Sequence, residues 1–419
     1  MGRPLLALAW LTLVGSLAGC VVYDPALVRR SDVGSDTNNG TCTPRHAPAR
    51  PAGDDTSMPG DVSFGLRDVV LNQTAGVARM TGYDLDDRCT DDTNRLTECN
   101  PGMGARAPAT DGIDGIDNQF GAALYPLVEA AVPGLEMRAR AAQMAGNGLP
   151  ILRMRGWNGT MNDPVVDITI TAAVFSTAGT GMTTPPAVTI TDATHFTLAD
   201  GSPVPAPAWD GQDWAWARDD SFLGGNPDTP FVRDQQAYVV DGLIVARLPA
   251  RVDIVFPTDT VGVLVRLTDA IATGRISADG NMLSDVVVAG RWSITDLLST
   301  AENIGLCRGT GEYNVLQTTL FRTADVRSTP TMPGDPVIDC DALSIGVSFT
   351  GYRMRIAGIT AGLEITDQCL SEAGVPDAST AMDAGMDAGS DAGSDGGHDA
   401  GHDAGTDAFV APDTNVDGG

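Results

Sequence analysis

Between residues 166 and 349 the chain repeatedly alternates apolar and polar side chains, and the runs are separated by turns rich in Asp or Gly. A period of two fits a pleated strand with one buried face. Val166, Ile168, Ile170, Ala172 and Val174 share one face of such a strand, and Asp167, Thr169 and Thr171 the other. Tyr238–Val240 and Leu243–Val245 flank Asp241-Gly242, a favoured two-residue hairpin turn. Val252, Ile254 and Phe256 alternate with Arg251 and Asp253, and Val261, Val263, Val265 and Leu267 form another row. Arg275–Ala278 and Val286–Val288 are arms of a hairpin around Asp279-Gly280-Asn281, and Ile345, Val347 and Phe349 form a late strand. Many short strands joined by such turns predict a mainly β fold, an antiparallel β-sandwich or jelly roll.

Two short helices interrupt this pattern. Asp117 or Asn118 can cap a segment in which Phe120, Leu124, Leu127 and Val128 share a face, with Pro133-Gly134 as its stop. Ser293 followed by Asp296 reads as a capping box before Leu297, Leu298 and Ile304, and Gly305 ends that helix.

The amino-terminal twenty residues predict export. Arg3 gives a positive start, Leu5 to Leu17 is apolar but too short to span a bilayer, and Leu17-Ala18-Gly19-Cys20 follows. That ending resembles a bacterial lipobox. The resemblance implies cleavage before Cys20, a thioether-linked diacylglycerol on Cys20 and acylation of the new amino terminus. Several acyl chains together make a stable membrane anchor. Val21 and Val22 follow without an Asp, which by the family's sorting rule implies the outer membrane. The expected organisation is a signal peptide at 1–19, a lipidated and flexible tether at 20–60, a globular domain at 61–376 and a disordered tail at 377–419. The tail carries ten Asp and no basic residue, with Asp383, Asp387, Asp391, Asp395, Asp399, Asp403 and Asp407 four apart. Like charges at that spacing repel and the intervening glycines oppose a helix.

An exported chain favours disulfides. With Cys20 lipidated, Cys42, Cys89, Cys99, Cys307, Cys340 and Cys369 form an even set able to make three bridges. Six cysteines allow 15 connectivities. Cys89 and Cys99 bracket a short polar loop and are the favoured pair; Cys307, just past the stop of the second helix, would pin that helix end.

Composition closes several routes to function. The formal net charge is −28, from 47 Asp and 7 Glu against 26 Arg, and there is no Lys. Such acidity opposes nucleic-acid binding, which draws on basic stripes. Without Lys there is no Schiff base and no phosphate-loop lysine. A Ser-His-Asp or Cys-His site in the domain would have to use His195, which has no Gly-x-Ser-x-Gly nearby.

Two acidic loops remain as candidates for an ion. One holds Asp84, Asp86 and Asp87; the other holds Asp111, Asp114 and Asp117, spaced by three with Gly between. Calcium takes six to eight oxygens from such turn-rich loops, although the EF-hand register is absent and Asp also serves as a turn former and helix cap. Trp209, Trp214 and Trp216 lie among Asp210, Asp213, Asp219 and Asp220. Exposed, they would form a platform for a glycan; alternate Trp residues on a strand more commonly fill a core.

The lipobox, the tether, the Asp-Gly-x-Asp-Gly-x-Asp-Asn loop before a helix, the β-rich body and the Asp-Ala-Gly tail together resemble envelope lipoproteins of myxobacteria-like, high-GC bacteria. The resemblance implies a lipid-anchored protein of the cell envelope and carries over no activity and no functional residue. The expected function is a binding or structural module, with a glycan or an envelope protein as partner. The competing expectation is an envelope glycan hydrolase using Asp residues as acid and base.

Overall fold

The computed structural model describes residues 42–369, apart from 54–59, 72, 74, 92–94, 102–104, 106–107, 132, 192–194, 249–250, 258–261, 331–336 and 363–367. The segments expected as signal peptide (1–19), lipidated Cys20 and acidic tail (377–419) lie outside the described residues.

Eight strands form a closed antiparallel barrel rather than a sandwich. They are β1 (Asp61–Val70), β2 (Pro150–Arg155), β3 (Asp163–Thr177), β7 (Val232–Val240), β8 (Leu243–Arg247), β10 (Gly262–Ile276), β11 (Met282–Ser293) and β12 (Ala342–Thr360). They pair in the order β1-β2-β3-β7-β8-β10-β11-β12, and β12 returns to β1. A sandwich would leave sheet edges; the β1–β12 and β3–β7 pairings remove them. Closure needs strongly bent strands. Register shifts lie at Arg67/Val70, Thr268/Ile271 and Leu283/Val286. Within them sit Asp68, Asp269 and Asp285, all at positive φ, at 57°, 47° and 50°. Asp tolerates this left-handed conformation better than most residues because its short side chain can bond locally. Part of the aspartate excess therefore serves the curvature of the barrel.

Alternate residues from all eight strands meet in one buried cluster, including Phe64, Leu152, Ile168, Val239, Ile244, Ala272, Val288 and Val347. Eight strands enclose just enough space for side chains to fill. Outward-facing positions include polar ones such as Asp167, which accepts two hydrogen bonds from Arg233 at 2.9 and 2.8 Å. An apolar interior is the reverse of a porin-like barrel, whose lumen is polar. No helix among the described residues is long and apolar enough to cross a membrane.

The same cluster runs into the helices through Phe120, Leu124, Leu297, Leu298 and Leu320, so helices and barrel share one core. The helices are α1 (Ala75–Ala78), α2 (Tyr125–Ala131, entered through a π turn at Phe120–Leu124), α3 (Leu135–Met144), α4 (Ile294–Asn303) and α5 (Gly311–Thr323). The Ser293 cap of α4 is present: its Oγ accepts from the Asp296 N–H at 3.1 Å. α1, α3 and α5 add to the two helices expected.

β3 and β12 outrun their barrel partners, and β6 (Trp214–Arg218) fits between their far ends, parallel to β12 and antiparallel to β3. The short β4–β5 hairpin (Val188–Ile190, Phe196–Leu198) packs there. β9 (Val252–Pro257) pairs with the first half of β10.

Three disulfides join Cys42 to Cys89, Cys99 to Cys340 and Cys307 to Cys369. The favoured Cys89–Cys99 pair does not form, because each of the two reaches a residue remote in sequence. Cys307–Cys369 does tie down the end of α4. Three such bridges make this an extracytoplasmic protein. Residues 42–53, within the segment assigned to the tether, lie on the barrel. Arg45 donates to the Asp114 carbonyl at 2.8 Å, Arg50 donates to that of Pro164 at 2.7 Å, and Tyr238 donates to that of Pro48 at 2.5 Å.

Candidate functional site

On β11, Val288 and Trp292 enter the core, so Arg291 points outward; on β12, Ile345 and Val347 point inward and Ser344 and Gly346 outward. The described parts of the segment from Tyr83 to Asn118 lie across this outer wall. Tyr83 and Leu85 pack on Val245, Ile271, Val287 and Ala289. Asn118 bolts the segment to β12: its amide donates to the Gly346 and Thr81 carbonyls at 3.1 and 2.8 Å, and its carbonyl accepts from the Gly346 and Gly121 N–H groups, each at 3.1 Å. The last of these is the helix cap expected of Asn118. Cys42–Cys89 and Cys99–Cys340 fasten the crossing segment at two further points.

This geometry gathers acidic side chains from distant parts of the chain. Asp86, Asp111, Asp117 and Asp325 line one small pocket together with Thr90, Thr97, Ala324 and Cys340. Its volume is about 10 Å³, room for one water-sized sphere. One carboxylate oxygen from each of Asp84, Asp86 and Asp117 lies within 4.8 Å of the other two. Asp84 is 6 % exposed and Asp117 3 %.

The backbone positions these groups tightly. Asp84 Oδ1 accepts from the N–H groups of Asp86 and Arg88 at 3.2 and 3.3 Å, in a tight Asx-type turn. Asp84 Oδ2 is buried with no hydrogen-bond partner among the described residues. Asp117 Oδ2 accepts from Leu85 N–H at 2.7 Å, and Asp111 Oδ2 from Thr90 N–H at 2.5 Å. Asp325 accepts from the Ser344 N–H at 2.9 Å and from its hydroxyl. Beside the pocket, Glu98 forms a buried ion pair with Arg291, whose guanidinium also donates to the carbonyls of Leu85 and Arg327.

One buried arginine does not balance this many carboxylates. Burial pushes Asp86 up to about 8, helped by the charges of Asp111, Glu98 and Asp84. Burial likewise lifts Asp111 and Asp325 to about 7, and raises Asp84. Asp117 is driven well above the usual carboxylate range by burial and by Asp86, Asp111 and Asp325.

Of the six aspartates expected as ligands, Asp84, Asp86, Asp111 and Asp117 come together here. Asp87 and Asp114 do not: both are exposed, at positive φ of 59° and 56°, and serve as turn residues. Asp87 faces His46 at 3.5 Å. Glu98 and Asp325 complete the cluster without any local sequence signal. Each is a single acid in an ordinary segment, placed by a disulfide or a strand.

The tryptophans do not form the open platform that a glycan would require. Trp214 and Trp216 are 8 % and 9 % exposed and fill a small core with Val174 and Phe175. The Trp216 ring stacks on Phe175 at 4.6 Å, and Arg355 covers Trp214 at 4.1 Å. Trp209 is half-buried, its ring against the guanidinium of Arg67 at 4.7 Å. His195 is exposed next to β5. No family model matches the chain, and no curated protein or solved structure matches it.

Proposed function

We propose that the chain is a lipid-anchored protein of the cell envelope, held through Cys20, whose barrel acts as a rigid binding or structural module. The observation that carries the module reading is the filled barrel. Its interior is occupied by the protein's own side chains, so recognition falls to the outer wall and the loops fastened there. Support for the location comes from the three disulfides, which belong to an oxidising compartment.

The alternative is a glycan hydrolase, favoured by one observation: Asp86 and Asp111 have the raised pKa values expected of a general acid. Against it, a pocket of about 10 Å³ has no room for a sugar ring. Mass spectrometry of the mature amino terminus tests the anchor: an acylated Cys20 supports it, and an unmodified Cys20 or cleavage elsewhere ends it. Incubation with envelope glycans tests the alternative. The module reading expects no turnover; turnover lost in Asp86→Asn would replace that reading with the hydrolase.

A further inference from the structure

We propose that the acidic cluster on the outer wall is a calcium site, with Asp84, Asp86 and Asp117 as its central ligands; Asp86 and Asp117 also line the small pocket beside it, together with Asp111 and Asp325. Two independent observations point to an ion rather than to a cluster of solvated acids. The first is spacing. Oxygens bound to one calcium at 2.3–2.6 Å stand no more than about 5 Å apart, and the three aspartates present oxygens within 4.8 Å of one another. The second is Asp84 Oδ2, an acceptor buried in a 6 % exposed residue that has no donor among the described residues. A buried carboxylate oxygen without a partner is costly unless a cation or proton meets it.

Gly115 helps keep the surroundings of that oxygen open. Its φ is +73°, and a Cβ there would stand 2.7 Å from Asp84 Oδ2 and 3.1 Å from the Arg88 carbonyl oxygen. Side chains at this position would therefore crowd the free acceptor as well as strain the backbone.

Ligand chemistry selects the ion. Every candidate ligand is oxygen, and Cys340 at the pocket is committed to a disulfide, so a hard cation is favoured over zinc or copper. Magnesium keeps several of its waters, whereas calcium accepts a shell of carboxylate and carbonyl oxygens. The ion would hold the Asp84–Arg88 turn against Asp117 and so lock the crossing segment to the barrel. This inference does not depend on the lipid anchor or on what the module recognises.

The test uses the full mature chain, freed of metal with chelator. Calcium is added up to about 10 mM, above the 10⁻⁴–10⁻³ M range of extracellular calcium modules. Calorimetry and thermal melting are read in parallel with magnesium. The expected result is one saturable site that raises the melting temperature, with a smaller rise for magnesium. Asp84→Asn and Asp117→Asn should abolish the rise while melting no lower than the parent in chelator, since Asn keeps the size and an acceptor oxygen of each carboxyl and adds no charge to a crowded cluster. The exposed Asp114→Asn should keep the full response. Absence of any calcium response, a larger response to magnesium, or a response retained by both pocket variants would overturn the assignment; the last outcome would place binding elsewhere, such as the acidic tail.

Discussion

Glu98 and Arg291, 193 residues apart in the chain, meet as an ion pair whose side chains are 2 % and 1 % exposed. The pair joins the crossing segment to the wall of the barrel. Losing one partner of a buried pair costs about 3–5 kcal/mol; without Glu98 the buried Arg291 guanidinium keeps, among the described residues, only the exposed Asp269 carboxylate, at 3.3 Å. Glu98→Ala should therefore lower unfolding stability by roughly 3 kcal/mol. The double variant Glu98→Gln with Arg291→Met should recover part of this. Urea unfolding measures both, and a loss below about 0.5 kcal/mol for Glu98→Ala would place the pair among weak surface contacts.

The Cys99–Cys340 bridge spans a sequence separation of 241 and borders the pocket. A bridge that closes a long loop restrains the unfolded chain strongly, and removing a native one typically costs 2–5 kcal/mol. The double Cys99→Ala, Cys340→Ala variant should unfold at lower urea and bind calcium more weakly than the parent. Unchanged calcium affinity would show that the bridge does not organise the site.

The metal-free protein should lose stability as pH rises. Asp86, Asp111 and Asp325 ionise near 8, 7 and 7 in the folded chain, against an ordinary 3.8. Between about pH 4 and 8 the folded state therefore holds more protons than the unfolded one, so stability falls through that window. Melting in chelator should be higher at pH 5.5 than at pH 8.5. Calcium should narrow the gap by stabilising the high-pH form, by about 2.7 kcal/mol at a hundred times its dissociation constant. A melting temperature that rises with pH in chelator would contradict the electrostatic account.

Asp285 tests the role of aspartate in curving the barrel. It is exposed, lies in the Leu283/Val286 register shift and has φ +50°. Asp285→Gly should be neutral or slightly stabilising. Asp285→Val places a β-branched side chain in left-handed backbone and should cost about 1–2 kcal/mol. Equal effects from the two, read by urea unfolding, would mean that conformation is not what Asp supplies there.

The tryptophan core gives an independent check on packing. Trp216→Ala should cost about 3–5 kcal/mol, as expected for truncating a buried aromatic side chain. Because this core lies away from the acidic pocket, the melting response to calcium should persist in that variant. Loss of the calcium response with little change in stability would reverse this picture.

The strands were readable because each carries its own alternation: β3, the β7–β8 hairpin around Asp241-Gly242, the β10–β11 hairpin and the start of β12 all fall where periodicity puts them. Closure was not readable. It depends on β1 meeting β12 across most of the chain and on bulges at Asp68, Asp269 and Asp285, which look in sequence like ordinary turn residues. β12 shows the limit well: only Ile345 to Phe349 alternates clearly, yet the strand runs 19 residues to Thr360 and serves both the barrel and β6. The α5 helix was missed because its buried residues, Tyr313 and Leu320, are only two among thirteen and lie in a Thr-rich segment. At the site, Asp84, Asp86, Asp111 and Asp117 stood out as oxygen-rich loops. Asp325 did not, because it reaches the pocket through pairing beside Ser344 rather than through any local pattern. Cysteine pairing was opaque for the same reason: neighbours in sequence, Cys89 and Cys99, are fastened to different parts of the fold.

The most direct measurement is anomalous X-ray diffraction from crystals of the protein grown with calcium. The account predicts one peak among Asp84, Asp86 and Asp117, within 2.3–2.6 Å of oxygens from all three, with Asp84 Oδ2 gaining its missing partner. Full occupancy by water, or a calcium peak only at other positions, would contradict it.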